Sequence, residues 1–181
     1  MAYKFHKYSP NIIFVIILRL IASPLIFISP WFASISSFGL DWIDGEIYKR
    51  NGYTIKQYKP IDSLIDTYWY ICILLFINLS QIPGLYILNL LFIFRMIGQI
   101  IYLITQKREI FFLFPNFFEI FFFFYLFSTI FPQLNPYLYW PNSIYPLLVI
   151  IPIVLYREWL VHIKKANLSD FFTGKKTYWN K

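Results

Sequence analysis

The chain has 181 residues, of which 59% are apolar and 14% charged, and its formal net charge is +7. Ordinary soluble domains carry about 45–50% apolar and about 25% charged residues. An apolar excess of this size cannot be enclosed in so short a chain, so a water-soluble globule is excluded and lipid is the expected solvent. The single cysteine, Cys72, excludes an internal disulfide. The first apolar stretch runs past Arg19 with no small-residue cleavage site, so no signal peptide is expected.

A membrane helix needs roughly 20 mostly apolar residues. Runs of this kind predict six helices in an all-α, polytopic chain that forms a single membrane domain over 1–181. The first covers about 11–28 and stops at Ser29-Pro30. The second covers about 31–48. A polar loop follows, then a third helix over about 61–79. The turn Gln81-Ile82-Pro83-Gly84 leads to a fourth over about 85–105, and a fifth runs over about 110–131. The sixth, about 143–156, has looser bounds because Pro141, Pro146 and Pro152 interrupt it.

Charge placement tests this count independently, because basic residues favour cytoplasmic loops. With the N-terminus inside, six helices put Lys4, Lys7, Lys49, Arg50, Lys56, Lys59, Lys107 and Arg108 on one side. Arg157, Lys164, Lys165, Lys175, Lys176 and Lys181 join them there. Of the 16 basic residues only Arg19 and Arg95 fall elsewhere, inside predicted helices. Both termini are therefore expected in the cytoplasm. The basic loops are explained by orientation and by attraction to anionic lipid heads or a negatively charged substrate, and nucleic acid is not required.

Ionisable groups are costly at membrane depth and mark functional sites by default. Five of the nine acidic residues lie within 41–66. Asp41 and Asp44 are three apart near the inner end of the second helix, on one face. Asp62 and Asp66 are four apart at the start of the third, again on one face. The connecting loop returns the chain to the membrane and lets the pairs meet. Four carboxylates in one small space either take up protons or gather cations. Oxygen ligands with no neighbouring histidine point to Mg2+ or Mn2+, and two such ions would neutralise a pyrophosphate as it breaks. The plain alternative is four interfacial aspartates that cap helix ends, with Asp62 after Pro60 as a helix-start residue.

These residues resemble the signature of the CDP-alcohol phosphatidyltransferase family, D-x2-D-G-x2-A-R-x8-G-x3-D-x3-D. The matching run here is Asp41, Asp44, Gly45, Tyr48, Lys49, Tyr58, Asp62 and Asp66. The four aspartates and the first glycine agree at every spacing, while Tyr48, Lys49 and Tyr58 replace alanine, arginine and the second glycine. The segment Arg19-Leu20-Ile21-Ala22-Ser23-Pro24 is similar to the arginine and proline of the family's first helix.

The resemblance implies a lipid-synthesis enzyme with its active site facing the cytoplasm. Its substrates would be a CDP-linked donor and a small alcohol acceptor, its product CMP, and phosphatidylglycerophosphate synthase-like activity the expected subtype. Asp41, Asp44 and Asp62 would hold the metals, with Asp66 as a further ligand and the base that removes the acceptor's proton. Gly45, Tyr48, Lys49 and Tyr58 would border the nucleotide, and a homodimer would suit such a chain. Two tyrosines in place of small residues have two readings. They stack on the base, or they close the donor pocket and leave an inactive relative that serves as a scaffold or partner. In the first, the rings turn aside from an open cavity; in the second, they pack against Asp44 or the metals.

Elsewhere, Arg95 and Glu119 are equidistant from the turn near Lys107 and are expected to form an intramembrane ion pair. Arg19 either snorkels to the interface or contacts the acidic site. The Phe121–Phe124 run is expected to face lipid or to pack. His6 and His162 lack a second histidine nearby and predict no zinc site, and the basic, aromatic tail from Lys164 is expected on the membrane surface.

Overall fold

The computed structural model describes residues 9–164. Lys4, His6, Lys7 and the basic tail from Lys165 onward lie outside the described residues. Those described form an all-helical chain with no strand. Its elements are α1 (Pro10–Ala22), a 3-10 segment (Ser23–Phe27), α2 (Pro30–Arg50), α3 (Ile55–Leu79), α4 (Leu85–Thr105), α5 (Ile110–Leu113) and α6 (Phe117–Ile130). A second 3-10 segment (Pro132–Leu138), α7 (Ile144–Glu158) and a π-helical turn (Trp159–Ile163) complete it.

Among the described residues, four segments are long and apolar enough to cross a membrane: Pro10–Phe27, Ile55–Leu79, Leu85–Thr105 and Ile144–Ile163. The second and fifth predicted spans fall outside this set for different reasons. The helix predicted over 31–48 exists as α2, but Asp41, Asp44, Glu46, Lys49 and Arg50 lower its hydropathy. The continuous helix predicted over 110–131 does not form. It breaks at Phe114-Pro115-Asn116 into α5 and the 14-residue α6. Proline disfavours helical backbone at the residue before it, and Phe114 accordingly sits at φ −122°, ψ 66°.

The described residues pack into two compact units, divided between Trp69 and Tyr70. In the first, α1 packs on α2. Pro24 cannot continue the α-helical ladder, and the chain tightens to 3-10 geometry from Ser23, whose backbone N–H and Oγ both donate to the Arg19 carbonyl. The Ser29 hydroxyl caps α2, accepting from the Phe32 N–H at 3.4 Å, with Pro30 in the first turn. The helix ends in a Schellman motif: Tyr53 N–H donates to the Tyr48 carbonyl, Gly52 N–H to that of Lys49, and Gly52 has φ +79°.

α3 begins six residues before the predicted position 61. Thr54 N–H and Oγ1 both donate to the Gln57 side-chain oxygen, at 2.9 and 3.0 Å, half of a capping box that starts the helix ahead of Pro60. Pro60 costs only the hydrogen bond to the carbonyl of Lys56, an exposed residue.

In the second unit α4 packs against α5 and α6, and α6 against α7. Gly98 permits the close approach, because a Cβ there would collide with the Phe114 side chain. Phe118, Phe121 and Phe122 are fully buried, so the phenylalanine run serves partly as core. Asn116 caps α6 by accepting from Glu119 N–H at 3.3 Å, and its amide donates to Tyr70 Oη at 2.8 Å and to Glu119 Oε2 at 2.7 Å.

Candidate functional site

The two turns at the end of α2 and the start of α3 bring all four predicted aspartates to one point. Asp41 and Asp44 come from α2, Asp62 and Asp66 from the third and fourth turns of α3, and a fifth residue joins them from α1. Arg19 lies in the last turn of α1 and is 5% exposed. One terminal nitrogen of its guanidinium contacts Asp44 and, at 3.0 Å, Asp62. The other reaches Asp41 at 3.0 Å and Asp66 at 2.6 Å. Arg19 therefore contacts the acidic site and does not snorkel away from it. A planar fork with donors on both nitrogens suits this division between two carboxylate pairs.

Tyr58 and Lys59 complete the enclosure. Tyr58 Oη shares its one proton between Asp44 at 2.6 Å and Asp62 at 2.9 Å. Lys59 Nζ donates to Asp62 at 2.6 Å. Asp62 is therefore not the helix-start cap that Pro60 suggests, since it lies well inside α3 with its carboxylate in three side-chain interactions. If every group is ionised, four carboxylates face two cations, and two formal negative charges remain.

Accessibility divides the cluster. The side chains of Asp44 and Asp62 are 2% and 3% exposed, but Asp66 is 23% and Asp41 42% exposed. The site opens on the side of Asp41 and Asp66 and is closed by protein on the other. Asp41, Asp62 and Asp66 each present an oxygen within 4.8 Å of the others. Oxygens grouped in this way could hold one metal ion; Asp44, engaged by Arg19 and Tyr58, is not part of that group.

The other residues of the predicted signature sit beside this cluster. Gly45 follows Asp44 in α2 and is half-buried. Tyr48, 1% exposed, packs its ring against Tyr58 at 4.9 Å and Tyr53 at 5.5 Å. Ile12, Tyr48, Tyr53 and Tyr58 form one buried cluster, with Ile16, Ile47 and Ile61 against it. Lys49 Nζ is covered by protein and makes no hydrogen bond among the described residues. Arg50, the neighbouring cation, pairs with Glu46 at 3.1 Å on the exposed face of α2.

The expected ion pair between Arg95 and Glu119 does not form. The break at Pro115 frees the Phe114 carbonyl, and Arg95 donates to it at 2.8 Å with its guanidinium over the Phe111 ring at 4.6 Å. Glu119 is held instead by Asn116. His162 is buried and pairs with Glu158 at 2.9 Å, a partner one helical turn away that a search for a second histidine misses. No family model, curated protein or solved structure matches the chain.

Proposed function

We propose that the chain is a six-span membrane enzyme of the CDP-alcohol phosphotransferase type, with both termini and its active site on the cytoplasmic side. The observation that carries this reading is the convergence of four aspartates, at the family's spacing, on one partly open point. Bringing four carboxylates together is electrostatically unfavourable, and structural need alone does not account for it. The two remaining spans would be α2, whose 21 residues reach about 32 Å at 1.5 Å per residue, and the broken pair α5–α6. A break at membrane depth is tolerated where its free carbonyl finds a protein donor, and Arg95 is that donor for Phe114.

Asp41, Asp62 and Asp66 would hold a divalent cation, which when bound would offset the charge of the donor's pyrophosphate. The donor enters from the side of Asp41 and Asp66. The covered Lys49 ammonium, which has no hydrogen-bond partner among the described residues, is suited to one of the donor's phosphates. The acceptor hydroxyl oxygen forms a bond to the donor phosphorus, the bond from that phosphorus to the CMP oxygen breaks, and CMP leaves. The hydroxyl proton passes to the Asp66 carboxylate, the more accessible member of the α3 pair.

A second reading is an inactive relative, and a specific contact favours it. The Tyr58 hydroxyl lies against Asp44 and Asp62 with the Tyr48 ring packed at a tilt behind it, as expected of a closed donor pocket. The deciding experiment supplies purified protein in lipid with CDP-diacylglycerol, Mg2+ or Mn2+ and a panel of alcohols including glycerol 3-phosphate, with Asp66→Asn as the control. The expected result is acceptor-dependent CMP release that the control lacks. Folded protein that releases no CMP with any acceptor would overturn the transferase reading in favour of the inactive one.

A further inference from the structure

We propose that Arg19 is the resident counter-ion of the aspartate cluster, and that its guanidinium and a divalent cation hold the same carboxylates in mutual exclusion. This inference rests on the reading of the cluster as a metal-holding phosphotransferase site and assigns that site a built-in competitor.

Arg19 forms an ion pair with each of the four aspartates, whereas the ion pair of Lys59 is with Asp62. The three residues whose oxygens gather closely enough for one ion, Asp41, Asp62 and Asp66, are all Arg19 partners. A cation among those oxygens would meet the guanidinium at close range, and like charges so placed repel strongly in a site sheltered from water. The carboxylates therefore have two alternative sources of neutralising charge: one carried by the chain, the other taken from solution.

The position of Arg19 suits such an exchange. Its stem projects from the last turn of α1, and one of its two donor nitrogens already faces the accessible pair, Asp41 and Asp66. Once released, the guanidinium becomes a phosphate-binding group beside the site, a role its planar fork fits better than an ammonium would. Without a cation, the same group keeps four carboxylates folded together.

The test is Mn2+ binding to the full chain in lipid nanodiscs, read from the electron paramagnetic resonance signal of free Mn2+, with thermal unfolding in parallel. The native protein is compared with Arg19→Gln, Arg19→Lys and Asp66→Asn. Removing the competitor is expected to tighten Mn2+ binding in Arg19→Gln by about tenfold or more, within the usual range of coupling between two ligands. Arg19→Lys, which keeps the charge and loses the fork, is expected to fall between. Without Mn2+, Arg19→Gln should unfold at a lower temperature than the native chain and recover when Mn2+ is added. Should Arg19→Gln fail to fold without metal, Arg19→Lys carries the affinity comparison.

Unchanged or weaker Mn2+ binding in both Arg19 variants, with binding lost in Asp66→Asn, would overturn the competition and leave the metal site standing. Failure of every protein to bind Mn2+ would overturn the competition and the metal-dependent reading together.

Discussion

At the scale of single residues, Tyr58 is the side chain whose role changes most between sequence and structure. Its hydroxyl serves two buried carboxylates, Asp44 and Asp62, at 2.6 and 2.9 Å. Removing one donor from buried acceptors costs about 1–3 kcal/mol, more where the acceptors are charged. Tyr58→Phe is accordingly expected to destabilise the protein by at least about 1 kcal/mol, measured by denaturant unfolding in detergent. A variant as stable as the native chain would show that another group satisfies both aspartates. Arg95 and Glu119 make the opposite case. Each has its own partners, Phe114 and Asn116, so a double-mutant cycle of Arg95→Met with Glu119→Gln should give a coupling below about 0.5 kcal/mol. A larger coupling would restore the ion pair that the spacing around Lys107 suggests. Among site residues, the four aspartates were legible because their spacing is fixed by helix geometry. The partners of Tyr58 were not, since a tyrosine at a family glycine position reads equally well as a stacking platform or a plug.

At the scale of elements, the join between α2 and α3 aligns the two aspartate pairs, and its two signals are local. Gly52 has φ +79°, a conformation that costs other residues about 1–2 kcal/mol. Nothing crowds its Cβ position, so the penalty of Gly52→Ala should be conformational alone: about 1–2 kcal/mol of stability by denaturant unfolding. No measurable loss would mean that the turn relaxes to another geometry. The Thr54-Gln57 capping pair and the Pro115 break were both present in the sequence. The first was obscured by Pro60, which reads as the end of a loop although a proline near the start of a helix removes only one bond. The second was obscured by the apolar run on either side, in which composition resembles one continuous span. At Gly98, Gly98→Leu would drive a side chain into Phe114 and is expected to cost about 1–3 kcal/mol by overpacking.

At the scale of the whole molecule, large apolar side chains face outward along every long helix. Phe14, Phe32, Leu90, Ile104, Leu148 and Ile153 are each more than half exposed, among many others. Patches of this extent are untenable in water and ordinary against lipid tails. The proposed six-span arrangement places the loops near Lys56 and Lys107 on one face and the segment at Gln133 on the other. Cys72, the only cysteine, is 5% exposed and gives a quiet background for thiol labelling. Single cysteines at Lys56 and Lys107 should react with a membrane-impermeant maleimide from the same side, and one at Gln133 from the opposite side. Labelling of positions 56 and 107 from opposite sides would overturn the six-span count.

The sequence by itself determined the helical class, the apolar segments and the two aspartate pairs, each on one helix face, because these follow from composition and from the repeat of a single helix. Tertiary structure alone decided what neutralises those aspartates, where Arg95 points and which tyrosines are sealed inside. Such outcomes depend on which side chains from separate helices arrive within hydrogen-bond distance. Arg19 and Asp66 are 47 residues apart in the chain and 2.6 Å apart in the fold, a separation that no local periodicity encodes.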